Sequence, residues 1–324
     1  MPKRQRNYIR DEKLTLGELN AAFVSEKIIE NKSPATIKNY AKSFIKFCDD
    51  MGIDMETFEA RNLTKYMVYN WAGKLQLDGL SAASINHYLR DIRAFCYWME
   101  SEGYLTEGFD VKLLKEQETA PKSYTDEEIE ALLRQPYNMD DFVEVRTWVV
   151  VNLICATGLR RGTVCELRME DVNIAGRMII ASHTKNKKFL RVPISSALLP
   201  VLRQWVNEWR YDAEEKDYFF CSIDGGKMSE NALRLAYERY CAKRKVNRTS
   251  LHALRHTFAK NAVLQGISPF ELRELLGHKD VAMSSRYVKF FAEEINPFYD
   301  KYSLLDTKSH NSSNRSPVRR KRKE

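Results

Sequence analysis

Apolar side chains recur at helical spacing over most of this chain. Leu16, Leu19, Phe23 and Ile28 mark a first helix. Ser33-Pro34 supplies an N-cap and a proline at the first helical position, and Ile37, Tyr40, Phe44 and Phe47 then form one stripe that stops at Gly52. A third helix is predicted over 63–77. Ser81 opens a fourth, with Ile85, Leu89, Ile92, Phe95 and Trp98 facing inward and Gly103 at its end. These elements predict a small helical domain over 14–103, and Asn86, His87, Arg90 and Arg93 fall mostly off the apolar stripe of its last helix. Residues 104–122 lack a period and read as a linker. Thr125 and Glu128 have capping-box spacing, so a second domain is predicted from 123 to 303. It begins with a helix and continues with a long apolar one from about Asp140 to Ala156, closed by Gly158. The runs 177–182 and 189–194 read as two strands joined by the basic turn 183–188. Helices are predicted again at about 195–209, 229–245, 251–265, 268–276, 280–287 and 291–302.

Composition agrees with this reading. Of 324 residues only 13 are glycine and 9 proline, which favours long helices over a turn-rich β fold. The longest apolar stretch, Trp148 to Ala156, is interrupted by Asn152 and is too short for a bilayer, and the amino-terminal residues have no apolar signal core. No membrane association is expected. The six cysteines (Cys48, Cys96, Cys155, Cys165, Cys221 and Cys241) contain no CxxC pair and sit mostly among apolar neighbours, as thiols do in a reducing cytosol.

Charge is placed unevenly. The net value is +8, of which residues 1–13 carry +3 and residues 304–324 carry +5, leaving a neutral body. A basic amino-terminal arm and a disordered basic tail are therefore expected, both suited to a polyanion. Simple solvation of charged ends explains them equally well. On the fourth helix, His87, Arg90 and Arg93 are candidates for DNA phosphates, against the bland alternative of a solvated outer face.

In the second domain, Arg160 follows the helix end Thr157-Gly158-Leu159, and Lys185 lies in the turn between the strands. His252 and Arg255 share a helix face, His278 follows Leu275-Leu276-Gly277, and Tyr287 lies nine residues further on. Two arginines, a lysine and two histidines can surround one anion, and a tyrosine within reach can attack it. Each residue alone reads more readily as a carbonyl cap, a solvated lysine, a structural histidine or a packing tyrosine. His252 and His256 have a spacing that can bind zinc, but no HExxH is present and no carboxylate or cysteine joins them, so no metal is expected.

As a set, TGLR (157–160), KNKKFLRVP (185–193), HALRHTFA (252–259), LLGH (275–278) and Tyr287 closely resemble the signature of the tyrosine recombinase, or phage integrase, family. The motifs cover 123–303, and 14–103 is similar to the family's helical core-binding domain. The resemblance implies a mainly α, two-domain clamp whose catalytic domain is mixed α/β, mostly helical around a small antiparallel sheet. It implies a site-specific DNA recombinase that works through a 3′-phosphotyrosine and a Holliday junction as a homotetramer on paired double-stranded DNA sites. Such an enzyme integrates or excises a mobile element in the cytoplasm, at the nucleoid, with accessory DNA-bending or excision factors. No cofactor is implied.

Carried over residue by residue, the catalytic set is Arg160, Lys185, His252, Arg255, His278 and Tyr287. Arg160, Arg255 and His278 would hold the phosphate, Tyr287 would attack, and Lys185 would protonate the leaving 5′ oxygen. His252 would accept or orient the phenolic proton. Lys187 and Lys188 would join His87, Arg90 and Arg93 on DNA. His256 matches a common family residue expected to act behind the others. Thr163 stands where the family usually has an acid, and Arg161 beside Arg160 leaves the first arginine ambiguous, although the TGLR frame favours Arg160. The segment 290–302, with Phe291, Ile295, Phe298 and Tyr302 on one side, is similar to the family's terminal helix, which docks on a neighbouring subunit. Packing within its own domain is the alternative. Competing readings are a type IB topoisomerase with the same chemistry, an inactive DNA-binding accessory protein, and a nuclear-import role for PVRRKRK.

Overall fold

Hydroxyl caps at helix starts and left-handed glycines at helix ends partition the chain into helices. The computed structural model describes residues 13–105, 110–182 and 189–291. The chain divides into two units, Met1–Glu118 and Thr119–Glu324.

The first unit contains α1 (Leu16–Ile29), α2 (Pro34–Met51), α3 (Lys65–Leu77) and α4 (Ala82–Ser101). Thr15, Ser33, Thr64 and Ser81 each accept a backbone N–H at the helix start, satisfying donors that the first turn leaves orphaned. The core forms from the expected stripes: Leu16, Leu19, Phe23, Phe44, Phe47, Ile85, Leu89, Ile92, Phe95 and Trp98 are all buried. Ile28 departs from its predicted stripe and is 59% exposed in the last turn of α1. The stretch read as a linker is not free of this unit. Val111 is completely buried, and Leu113 and Leu114 pack against the same cluster. Asn86 is likewise no surface residue: it is buried, donates to Leu114 O and Glu116 Oε1, and accepts from Leu114 N. Aperiodic sequence here is an extended strap, held by apolar packing and by side chains of the helices beneath it: Asn86, and Tyr69, whose hydroxyl donates to Asp110 O and accepts from Lys112 N.

The second unit contains α5 (Asp126–Leu133), α6 (Phe142–Thr157) and α7 (Arg161–Glu166). The strands β1 (Val172–Asn173), β2 (Met178–Ala181) and β3 (Leu190–Pro193) follow. Then come α8 (Leu198–Trp209), α9 (Glu230–Lys243), α10 (Leu251–Leu264), α11 (Pro269–Leu276) and α12 (Val281–Phe290). The sheet is antiparallel in the order β1-β2-β3, with Ile179 opposite Val192 and Ile180 opposite Arg191. Two strands were expected; β1 is a two-residue addition too short to leave an alternating pattern. Helix α6 is apolar on nearly every side and packs against α8, α9 and α10, as a helix at the centre of a domain must. A separate cluster of Ala259, Val263, Leu272, Leu276, Tyr287 and Phe291 joins α10, α11 and α12. Among the described residues, no helix is long and apolar enough to cross a membrane. The basic turn 183–188, the residues from 292 onward and residues 1–12 lie outside the described residues, and with them Lys185, Lys187, Lys188, the expected helix 291–302 beyond its first residue, and the basic tail.

Candidate active site

Two helix carboxyl ends create the polar centre of the second unit. Gly158, at φ +66°, ends α6, and Gly277, at φ +61°, ends α11. A helix end leaves its last carbonyls without intrahelical donors and carries partial negative charge, so it favours cations. Arginines fill that role here. Arg255 Nη1 donates to Gly158 O at 2.6 Å and Arg255 Nη2 to Leu276 O at 3.0 Å. Arg160 Nη1 lies 3.4 Å from Leu276 O and 3.3 Å from Gly277 O. The carbonyl of Leu276 is thus shared by both guanidinium groups. Arg255 is only 2% exposed. Burial, with Arg160 beside it, pushes its guanidinium down to about 9. Burial likewise lowers Arg160, opposed by the neighbouring Tyr287 phenol. Two half-buried or buried cations this close, with Arg160 lowering Arg255, form a site poised for an anion.

Glycine is required at position 158 for space as well as for backbone angle. A Cβ there would lie 2.5 Å from Phe258 Cδ1 and 2.6 Å from Leu276 Cδ2. The turn after Gly158 leaves Arg160 extended as the residue preceding α7. The adjacent arginines then separate. Arg161 points outward to Glu230, with Nη2 and Oε2 2.7 Å apart, while Arg160 reaches the helix ends. Thr163, in place of the expected acid, is buried in α7.

Tyr287 lies on α12 and is buried. Its phenol is raised above the ordinary tyrosine value by burial and drawn back by Arg255, Arg286 and Arg160. Its hydrogen-bond partner differs from expectation: His256 Nδ1, not His252, lies 2.6 Å from Tyr287 Oη. His252 instead packs T-shaped against His256, with ring centroids 4.4 Å apart. The reason is helical geometry. His252 and His256 are one turn apart on α10, and only the second is level with Tyr287. Burial and surrounding cations lower all three histidines, His256 and His278 to about 4. They are neutral at pH 7.

His278 Nδ1 lies 2.8 Å from Ser284 Oγ, and Ser284 is completely buried. Sequence reading missed Ser284 and the bond of His256. The signal was present: Ser284 lies three residues before Tyr287, hence on the same face of α12. A second scaffold holds α10 in place. Tyr124 Oη donates to Ser250 O at 3.2 Å and accepts from Ser250 N at 3.0 Å, and Tyr124 N donates to Thr257 Oγ1 at 2.9 Å. Arg160, Arg255, His252, His256, His278 and Tyr287 are therefore brought together, and Lys185 is outside the described residues.

The surface candidates of the first unit divide. Arg90 pairs with Glu116 at 3.0 Å, and Arg93 stacks over Tyr97 at 4.9 Å. His87 lines a cavity of 310 Å³ with Asn39, Lys42, Ser43, Lys46 and Tyr88. Lys42 and Lys46 lie off the apolar stripe of α2, and the periodicity that marks that helix says nothing of its polar positions.

The family model described as "Phage integrase family" matches residues 122–294, and that described as "Phage integrase, N-terminal SAM-like domain" matches residues 22–103. Over 298 residues the chain is 26% identical to the tyrosine recombinase XerA of Pyrococcus furiosus, covering 91% of this chain and 97% of that protein. It is 23% identical to the tyrosine recombinase XerC of Staphylococcus epidermidis, covering 84% and 92%. Among solved structures, the XerH site-specific recombinase bound to palindromic difH substrate in a post-cleavage complex is similar at TM-score 0.72 and 17% identity, covering 92% and 99%. The Tn1549 transposon integrase bound to transposon right end DNA is similar at TM-score 0.71 and 19% identity, covering 85% and 94%. These two likenesses are likenesses of fold.

Proposed function

The chain belongs to the phage integrase family of tyrosine recombinases, and from that premise we propose that it cuts and rejoins DNA strands at specific sites through a covalent 3′-phosphotyrosine at Tyr287. The observation that carries this reading is the convergence of Arg160 and Arg255 on the Leu276 carbonyl, with the buried Tyr287 phenol in electrostatic reach of both.

Attack on a phosphodiester adds negative charge to the non-bridging oxygens. Two guanidinium forks fixed beforehand on backbone carbonyls offer their remaining N–H groups to that charge with little reorganisation, and one such contact is typically worth about 3–4 kcal/mol of transition-state stabilisation. His278, held by Ser284 through Nδ1, would offer Nε2–H as a further donor. The Tyr287 oxygen bonds to phosphorus, the bond to the 5′ oxygen breaks, and Lys185 would supply the proton to that oxygen. The phosphotyrosine retains the energy of the diester, so a second strand's 5′-hydroxyl can reverse the reaction without ATP. The fixed cations supply the positive charge, and the scheme requires no divalent metal.

Exchange of both strand pairs would proceed through a Holliday junction in a homotetramer on two DNA sites, with any directionality supplied by accessory DNA-bending or excision factors. A mobile element is the proposed context for that exchange, as the resemblance in the sequence implies. Lys42, Lys46 and His87 around their cavity, together with Arg93, would grip phosphates from the first unit. Arg90 is already engaged by Glu116 and contributes less. Lys187 and Lys188 would contact the backbone beside the cleavage point. Phe291 is buried against its own α10–α12 cluster, so any segment that bridges subunits would begin after it.

A nicked suicide substrate carrying the element's own junction tests the reading. Wild type should form a covalent protein–DNA adduct in chelator, and Tyr287→Phe should form none. An adduct with the phenylalanine variant would remove Tyr287 as the attacking residue. Strand exchange between two duplexes, rather than supercoil relaxation by a monomer, distinguishes recombination from topoisomerase action.

A further inference from the structure

The sequence offers His252 to accept or orient the phenolic proton, but the atom against Tyr287 Oη is His256 Nδ1, at 2.6 Å. The His256 ring lies between two others, T-shaped against His252 with centroids 4.4 Å apart and tilted to Tyr287 with centroids 5.8 Å apart. It stands on α10 one residue after Arg255, whose guanidinium is fixed at both ends of its fork. Helix α10 thus carries the phosphate-facing cation and the partner of the nucleophile on adjacent residues. A buried phenol free to rotate about its C–O bond would present its lone pairs to phosphorus only part of the time. A single short acceptor fixes that rotation.

We propose that His256 is a positioning residue for strand cleavage: its Nδ1 accepts the hydrogen bond of the Tyr287 phenol and so aims the oxygen lone pair at the scissile phosphate, with His252 as the support of the His256 ring. This inference rests on the recombinase reading of the site. A histidine kept neutral by burial and by nearby cations suits an acceptor and does not suit a proton store. In this role His256 keeps the same protonation state throughout. The phenolic proton leaves only as the bond from oxygen to phosphorus forms, and it passes to solvent.

Three substitutions separate this role from the alternatives. Asn Oδ1 falls near the place of Nδ1, Gln Oε1 falls near the place of Nε2, and Ala offers neither. On the suicide substrate at saturating DNA, His256→Ala and His256→Gln should form adduct about 10²-fold more slowly, the scale expected for a misaligned nucleophile, with DNA affinity unchanged. His256→Asn should recover to within a few-fold of wild type. An alanine variant as fast as wild type overturns the proposal. An asparagine variant as slow as alanine also overturns it, because the residue would then be taking the proton. Histidine side-chain ¹⁵N spectra of the full chain read the bond without any turnover. In wild type the His256 Nδ1 should be unprotonated and should shift in Tyr287→Phe; a protonated or unmoved Nδ1 overturns the assignment. If wild type forms no adduct while the ¹⁵N signature is present, the recombinase reading fails and the hydrogen bond stands.

Discussion

Three histidines in this chain are held below their ordinary proton affinity, and the shift has a sign that can be tested. His256 and His278 fall to about 4 from the ordinary 6.5, first through burial and then through Arg255 and neighbouring charges. A base weakened by folding binds more protons in the unfolded chain. Its contribution to stability is therefore complete above pH 6.5 and is lost as pH falls toward about 4. Carboxylates held low by partners, such as Glu144 with Lys243 and Arg244, lose their contribution only below their ordinary value of 4.5. The interval from about pH 6.5 to 5 thus belongs to the histidines. We expect the melting temperature to fall across that interval and the slope to flatten in His278→Asn. An equal slope in that variant would show that His278 is not one of the groups responsible. At this scale the sequence was most informative where a residue's place in the cluster follows from a motif position, as for Arg160, Arg255, His278 and Tyr287. It was least informative where the role depends on which of two histidines one turn apart meets a third helix. Asn86 failed for a related reason: its partner is 28 residues away on an aperiodic strap, and no local pattern reports such a contact.

At the scale of elements, caps and glycine stops were legible because their causes are local. Ser33, Ser81, Thr125, Gly52 and Gly158 all occupy the terminal positions their chemistry predicts. Helix α7 and strand β1 were not legible, because six and two residues are too few to establish a period. Two of the glycine stops offer a controlled comparison. Gly52 has φ +64° and open space where a Cβ would stand, whereas Gly158 has φ +66° and two side chains within 2.6 Å. Gly52→Ala should cost about 1 kcal/mol, the backbone term alone. Gly158→Ala adds overpacking, for a total of about 2–4 kcal/mol. That corresponds to roughly 5–10 °C in melting temperature for a unit of this size. The Gly158 variant should also form adduct more slowly than its stability loss explains, because the Gly158 carbonyl that fixes Arg255 would move with the turn. Equal losses of stability in the two variants would show that the packing of the α6 end against Phe258 on α10 and Leu276 on α11 can relax around a methyl group.

At the scale of the whole molecule, each unit has its own hydrophobic cluster, and the net positive charge is concentrated in the terminal segments rather than in the folded body. A neutral body does not attract DNA through its overall field. Attraction must come from local cation groups that displace counterions phosphate by phosphate. If both units grip the backbone through about six phosphates between them, affinity should fall by about 10³-fold between roughly 50 and 200 mM salt. The cavity in the first unit makes part of that slope removable. Lys42 and Lys46 flank it beside His87, with Lys46 also paired to Asp50 at 3.0 Å. Lys42→Gln with Lys46→Gln should lower affinity on every sequence tested and reduce the slope of log K against log salt by about 1–2. The rate of adduct formation at saturating DNA should be unaltered, since neither lysine is near Tyr287 in sequence or within the same unit. A changed slope with unchanged site preference would assign these lysines to holding DNA. An unchanged slope would show that the cavity faces away from the duplex.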